Sequence, residues 1–237
     1  IMQGLKLMVS NKPFLRLIIA FMVSSTALSI TTPLYLFFIT YVLHEEEKAI
    51  YMLTFFYLAN LSAVPFWVWL STKIGKHRAY VGSFTLIGLA HPFYIFLGAG
   101  DFWYMLPITL VTGFAAGGFH ALPNSMKADV IDYDTYLTGE DRAAQFFAAW
   151  SFVTKMAIAI APFFAFTYLD LIGFDSSPGA INSPEQILGL RILFCFGLPL
   201  FLIIAIFCVR DYPITQQKQE EIREEIEIQK GNLGNQA

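Results

Sequence analysis

The sequence has 237 residues, of which 56% are hydrophobic, 16% aromatic and only 14% charged, with a mean hydropathy of +0.57. This composition lies far outside that of soluble domains, so it excludes a soluble enzyme and predicts an integral membrane protein. The formal net charge is -3, and the basic residues are scattered rather than clustered, which argues against nucleic acid as a partner.

Six apolar runs follow one another along the chain. Each is long enough to cross a bilayer as an α-helix, at residues 14–43, 50–70, 79–97, 103–126, 143–169 and 187–209. The predicted fold class is therefore an all-α integral membrane protein with six transmembrane helices, which could pair as three-plus-three inverted repeats. Residues 1–13 are predicted to be a cytoplasmic lead-in, residues 14–209 the bundle, and residues 210–237 a cytoplasmic tail containing a short solvated helix.

The distribution of positive charge predicts how the bundle is oriented. Short loops rich in Lys and Arg remain in the cytoplasm. Lys73, Lys76 and Arg78 share one loop on the side that holds both termini, whereas the opposite side holds only Lys48 and Arg191. Both termini are therefore predicted to be cytoplasmic, in a plasma membrane that would be the inner membrane of a bacterium.

Lys155 lies near the middle of the fifth span, where an unpaired ammonium is costly. Ser151 and several small residues share its helical face, as expected for the wall of a water-filled cleft. Lys155 is therefore predicted to line the cleft; the alternative is a lysine that extends to the membrane interface or joins two helices in a static pair.

Two further polar features lie inside spans. Ser25, Ser29 and Thr32 form a stripe on the first span, with Pro33 expected to break the helix beyond them. The stripe could hydrogen-bond a polyol, or its small side chains could pack helices together. His120 lies near glycines and a proline in the fourth span, and either a substrate-lining, proton-coupled role or a packing role is open to it.

The connection between the fourth and fifth spans is predicted to be a short acidic cytoplasmic loop. Asp129 and Asp132 project from one helical face at the membrane boundary, and Arg142 or the basic loop on the same side can neutralise them. Either a salt-bridge lock that opens during conformational change or a solvated surface run fits this pattern.

The same residues form a spaced pattern: Met126-x-Ala128-Asp129-Val130-x-Asp132-Tyr133, then Thr138-Gly139, Arg142 and the mid-helix Lys155. The pattern resembles the signature of the glycoside-pentoside-hexuronide:cation symporters, the melibiose permease-like family of the major facilitator superfamily. The resemblance covers essentially the whole chain as the second six-helix half of a twelve-helix transporter.

The resemblance implies alternating access, with a sugar or glycoside taken up together with Na⁺, Li⁺ or H⁺. Lys155 matches a lysine near the cation and sugar sites, and Trp150 and Ser151 match sugar-facing positions, while His120 takes the place of a tryptophan. A second set matches the cytoplasmic gate: Asp129, Asp132, Tyr133 and Arg142.

The family's cation-binding carboxylates belong mostly to the first half, so the implied partners are solute, cation, lipid and an N-terminal six-helix half. No metal site and no other cofactor is expected.

The leading interpretation is half of a cation-coupled sugar symporter. One alternative keeps the fold but changes the solute to a lysophospholipid or another amphipathic molecule, which an apolar lateral opening would favour over a closed polar pocket at Ser151 and Lys155. Another alternative is a membrane protein that retains the fold without transporting anything.

Overall fold

The computed structural model describes residues 11–177, 179–210, 212–214, 217–222 and 224–225. Six long helices account for most of them: α1 (Lys12–Phe37), α2 (Ala49–Ile74), α3 (Lys76–Ala90), α4 (Met105–Thr138), α5 (Ala143–Leu171) and α6 (Pro184–Val209). A π-helical turn, Phe38–Leu43, extends α1, and 3-10 turns lie at Glu46–Lys48, His91–Phe96 and Phe102–Tyr104. Together with the turns that continue them, all six helices are long and apolar enough to span a membrane, which confirms the predicted fold class. α3 reaches this length only with its 3-10 turn, as the span Lys76–Phe96.

Local chemistry sets the helix ends. Asn11 caps α1 by accepting a hydrogen bond from the Phe14 amide, and Ser183 forms a reciprocal capping box with Gln186 at the start of α6. Gly75 joins α2 directly to α3 with φ of 92°, and Gly139 ends α4 with φ of 71°. These positive φ values are readily adopted only by glycine, so these connections stay short.

Two details differ from the sequence-based expectation. Pro33 does not break the first helix, because it lies inside α1 and the helical path continues to Leu43; neighbouring helices allow a proline within a membrane span. The acidic run that was predicted to be a loop is the last part of α4, since the chain reaches no helix-ending glycine before Gly139. The true connection is only residues 139–142.

The helices pack with an internal pseudo-symmetry. α1 contacts α5 and α6, α4 contacts α2 and α3, and α3 contacts α6. Exchanging the first three helices for the last three maps these contacts onto one another, as in an inverted three-plus-three repeat. α2 and α5 occupy equivalent positions, and both leave most of their apolar surface open within this chain.

Alternate helices run in opposite directions, so one end of the bundle holds the starts of α1, α3 and α5 and the ends of α2, α4 and α6. We call this the basic end. A cluster of buried residues around Phe14, Tyr80 and Phe119 fills that half of the bundle, and a second cluster around Phe38 and Phe194 fills the other half.

The tail after α6 differs from its prediction as a solvated helix. Residues 217–222 are helical, as expected, but Ile222 is 1% exposed and Gln219 is buried. Tyr212 and Ile214 are also buried. The described part of the tail therefore packs against the basic end; Ile226 lies outside the described residues.

Glycines allow α4 to approach its neighbours closely. A Cβ at Gly113 would lie 2.6 Å from the Phe56 carbonyl oxygen of α2, and one at Gly117 would lie 2.7 Å from that of Asn60. At Gly118 the obstacle is the Trp67 ring, 2.7 Å away. Small residues at such crossings are typical of membrane bundles, where van der Waals packing drives association.

We expect Gly117→Ala to force α2 and α4 apart and to destabilise the protein by about 1–3 kcal/mol, the usual cost of overpacking. Gly88→Ala is the matched control, because nothing lies within 4 Å of a Cβ at that helical position. Thermal unfolding of the purified full-length variants measures the difference. Equal melting temperatures for the two variants would contradict the close packing.

Candidate functional site

Lys155 and Ser151 lie on an exposed face of α5. Within the described residues, neither side chain makes a hydrogen bond or an ion pair. The residues that flank Lys155 one turn away include Phe152 and Ile158, which are 62% and 57% exposed. The predicted cleft residue is thus a cation on a largely apolar face that also carries the Ser151 hydroxyl.

The hydroxyl stripe on α1 is only partly accessible. Ser25 is buried, Ser29 is half-buried and Thr32 is exposed. The Thr32 hydroxyl donates to the Leu28 carbonyl at 3.2 Å, so its hydrogen is already used within the helix. The stripe therefore offers a ligand fewer donors than the sequence suggests.

His120 is exposed on α4 beside α2. Its Nδ1 lies 2.9 Å from the Ala116 carbonyl oxygen and 3.1 Å from the Asn60 side-chain nitrogen. Nδ1 can donate to the carbonyl or accept from the amide, so the two contacts belong to different tautomers. The structure brings Asn60, which is buried, next to the predicted histidine.

Trp150 lies inside the bundle rather than on an open surface. Its ring packs 4.2 Å from that of Phe21 of α1, and the Lys127 ammonium of α4 lies 4.9 Å from its centroid. Lys127 is also 4.4 Å from the Phe147 ring and 3.3 Å from the Asn124 side-chain oxygen. The buried Lys127 of α4 therefore contacts two rings of α5, one of which packs against Phe21 of α1.

Asp129 joins three segments at the basic end. This carboxylate is buried, and both of its oxygens accept hydrogen bonds from the Lys76 ammonium at 2.6 and 2.7 Å. The Gln219 amide of the tail donates to one of the same oxygens. Burial, aided by the negative charge of Asp129, raises the pKa of the Tyr212 hydroxyl, so Tyr212 stays neutral beside this pair.

Arg142 pairs with Asp134 rather than with Asp132. Its Nε donates to the Asp134 carboxylate at 3.0 Å, and Asn11 donates to the other oxygen at 3.3 Å. Asp134 therefore links the start of α1 to the turn before α5. Asp132 and Tyr133 lie half-buried on the same stretch of α4.

Three residues of these clusters were missed by the sequence analysis. Asp134 belongs to the stretch predicted to be an acidic loop, and its spacing from Arg142 across the Gly139 turn is the signal that could single it out. Lys127 lies one residue beyond the predicted fourth span, 103–126, so the sequence places it among the loop charges. Asn60 is the one side-chain amide in the span 50–70, and the cost of an amide in a membrane is the signal that could single it out.

The geometry is that of a membrane bundle with a pseudo-symmetric pattern of helix contacts, polar groups inside its spans and buried ion pairs at its basic end. The family model described as MFS/sugar transport protein matches residues 1–216. The chain therefore belongs to this family of the major facilitator superfamily. The narrower resemblance to melibiose permease stays a prediction.

Several curated relatives are similar over most of the chain. The sodium-dependent lysophosphatidylcholine symporter 1 of Xenopus tropicalis is 29% identical, covering 95% of this chain and 43% of that protein. The sphingosine-1-phosphate transporter MFSD2B of the same organism is 27% identical, covering 88% and 40%. The uncharacterized symporter YjmB of Bacillus subtilis is 26% identical, covering 93% and 48%. The chain thus spans less than half the length of these relatives.

The Lys76–Asp129 pair generates a stability prediction. Lys76→Met leaves a buried carboxylate without its cation, whereas Lys76→Met combined with Asp129→Asn removes both charges. The double variant should therefore lose about 1–2 kcal/mol less than the sum of the single variants, measured as the free energy of unfolding in detergent.

Lys73→Met is the control for the loss of positive charge, because Lys73 is exposed on the same end of the bundle. It should leave the free energy of unfolding unchanged. Strictly additive losses in the cycle would show that the two charges do not stabilise each other.

Proposed function

We propose that the chain is the C-terminal half of a sodium-coupled symporter for an amphipathic solute with a phosphate headgroup, such as a lysophospholipid. This is the alternative interpretation of the sequence rather than the leading one, sugar uptake. Two relatives support it through their names, since lysophosphatidylcholine and sphingosine 1-phosphate are both single-chain amphiphiles that carry a phosphate.

The observation that carries the proposal is the setting of Lys155. A neutral polyol is bound through many hydrogen-bonding groups, whereas Ser151 is the exposed hydroxyl one turn from Lys155 and the other exposed neighbours include Phe152 and Ile158. One cation on a largely apolar face suits a molecule with one anionic group and an apolar chain. A charge that deep in the membrane is also retained mainly where it faces a cavity or a functional partner.

An exposed apolar face of α2 supplies a second supporting feature. It is formed by this one helix and is open to the outside of the chain. The residues on it are Ile50, Leu53, Thr54, Tyr57, Leu58 and Leu61. Such an open apolar surface would accommodate an acyl chain, whereas a sugar requires a closed polar pocket.

The open surfaces of α2 and α5 support the placement of a second six-helix half. Only 17% of the most apolar stretch of α2 and 28% of that of α5 are buried, against 56% for α4. The equivalent positions of α2 and α5 in the repeat would place both at the contact with the missing half. The coupling-cation site would then lie largely outside this chain.

Sugar transport remains the competing function, because the family description names sugar and because the exposed His120 and Ser151 can hydrogen-bond a hydroxyl group. The two functions differ in the solute that a sodium gradient drives, so one transport assay separates them.

We expect the full-length protein in proteoliposomes to move fluorescent lysophosphatidylcholine inward when an inward Na⁺ gradient is applied, and not when K⁺ replaces Na⁺. Uptake is measured as the fraction that albumin no longer extracts from outside. Lys155→Ala should lower the rate about ten-fold or more, because it removes a charge that faces the solute.

Lys155→Arg keeps the charge and should retain part of the activity, while Lys73→Ala is the control for a basic residue outside the cleft. Sodium-driven accumulation of melibiose without lysophosphatidylcholine uptake would establish the sugar function instead. Unchanged lysophospholipid uptake by Lys155→Ala would show that the lysine is structural.

The orientation is a separate proposal, in which the basic end faces the cytoplasm. In a background without Cys195 and Cys208, Ser177→Cys should react with an impermeant maleimide in intact cells. Lys73→Cys should react only after permeabilisation; it is preferable to position 76, where the side chain forms an ion pair. The opposite labelling pattern would reverse the orientation.

A further inference from the structure

Lys127 is a buried cation whose hydrogen-bonding capacity is only partly used. The residue is 7% exposed, and its ammonium carries three donors. One of them reaches the Asn124 side-chain oxygen at 3.3 Å. Among the described residues, no carboxylate lies within ion-pair distance of Lys127, and the adjacent Asp129 is engaged by Lys76 and Gln219.

Two aromatic rings and one amide compensate for part of the lost hydration. The Phe147 and Trp150 rings lie within the distance at which an aromatic face attracts a cation. Neither ring carries a negative charge, so the charge of Lys127 remains unbalanced in a region shielded from water. Such a group favours the approach of an anion.

The surroundings of Lys127 leave a way for an anion to reach it. Asn124 and Phe147 are exposed, so the cluster borders the open surface of the chain. The Trp150 ring packs against the Phe21 ring of α1, and this contact holds the indole in place beside Lys127. The result is a half-open site with one cation, one amide and apolar walls, formed where α1, α4 and α5 meet.

We propose that Lys127, with Asn124, Phe147 and Trp150, binds the phosphate group of the transported solute at the basic end of the bundle. The proposal rests on the proposed function, a phosphate-bearing amphiphile, and adds a second contact for its headgroup at a site separate from Lys155. The ammonium supplies charge and hydrogen bonds to the phosphate oxygens, and the aromatic walls exclude water from the contact.

The proposal predicts opposite effects of one substitution on stability and on binding. Lys127→Met keeps the length of the side chain and removes an uncompensated buried charge, so the melting temperature of the full-length protein should stay equal or rise. The same change should weaken the binding of lysophosphatidylcholine about ten-fold or more, as expected when a hydrogen bond to a charged group is lost. Lys127→Arg should bind nearly as well as the unmodified protein.

Matched ligands and a matched variant separate the headgroup from the acyl chain. A monoacylglycerol with the same chain lacks the phosphate, so Lys127→Met should leave its affinity unchanged. Lys73→Met, at the exposed basic end, should leave the affinity for both ligands unchanged. Binding of inorganic phosphate alone is measured as the shift that it causes in the melting temperature of the unmodified protein and of the Lys127→Met variant.

Three other outcomes would contradict the Lys127 proposal, the proposed function, or both. A fall in melting temperature for Lys127→Met with unchanged lysophosphatidylcholine affinity makes Lys127 a structural contact or the partner of a carboxylate elsewhere in the protein, and it leaves the proposed function intact. Lys127-dependent binding of inorganic phosphate alone assigns the site to free phosphate. An unmodified protein that binds no lysophosphatidylcholine overturns both proposals.

Discussion

A helix surrounded by lipid gains no hydrophobic free energy by moving against another helix, because acyl chains are as apolar as leucine. Close van der Waals contact has to provide the association, and the crossing of α4 with α2 and α3 provides it through Gly113, Gly117 and Gly118. That crossing also sets the rotation of α4 about its own axis. The rotation of α4 in turn decides which partners its polar side chains contact.

Most of the polar and charged residues that make the contacts described above lie on one helix, α4. His120, Asn124, Lys127, Asp129 and Asp134 all belong to α4, within fifteen residues of sequence. Once the glycines fix the rotation of this helix, His120 meets Asn60, Lys127 meets the rings of α5, and Asp129 meets Lys76. A small change in helix rotation would therefore alter all of these contacts together, which is how a rigid element couples distant sites.

The sequence predicted the six spans because their length and apolarity are dictated by the thickness of the bilayer. It did not predict that α4 would continue to Thr138. A boundary based on hydropathy is drawn where charged residues begin, whereas the helix ends where the backbone leaves the helical conformation. Lys127, one residue beyond the predicted span, is for this reason a buried helical residue and not a loop charge. The pairing of Arg142 with Asp134 depends on the geometry of the Gly139 turn, which composition does not reveal.

The charge balance inside the membrane links the site to the solute. Lys76 is neutralised by Asp129, whereas Lys127 and Lys155 have no carboxylate partner among the described residues. A neutral sugar that enters with a cation would add positive charge to a region that already holds two such lysines, and carboxylates elsewhere would have to balance all of it. The phosphate of lysophosphatidylcholine is matched by its quaternary ammonium, so this headgroup adds no net charge either. What it would offer, and a sugar would not, is a local anion beside a lysine. The proposed phosphate-bearing solute therefore differs from a polyol in the direct ion pair that it would offer to Lys127 or Lys155.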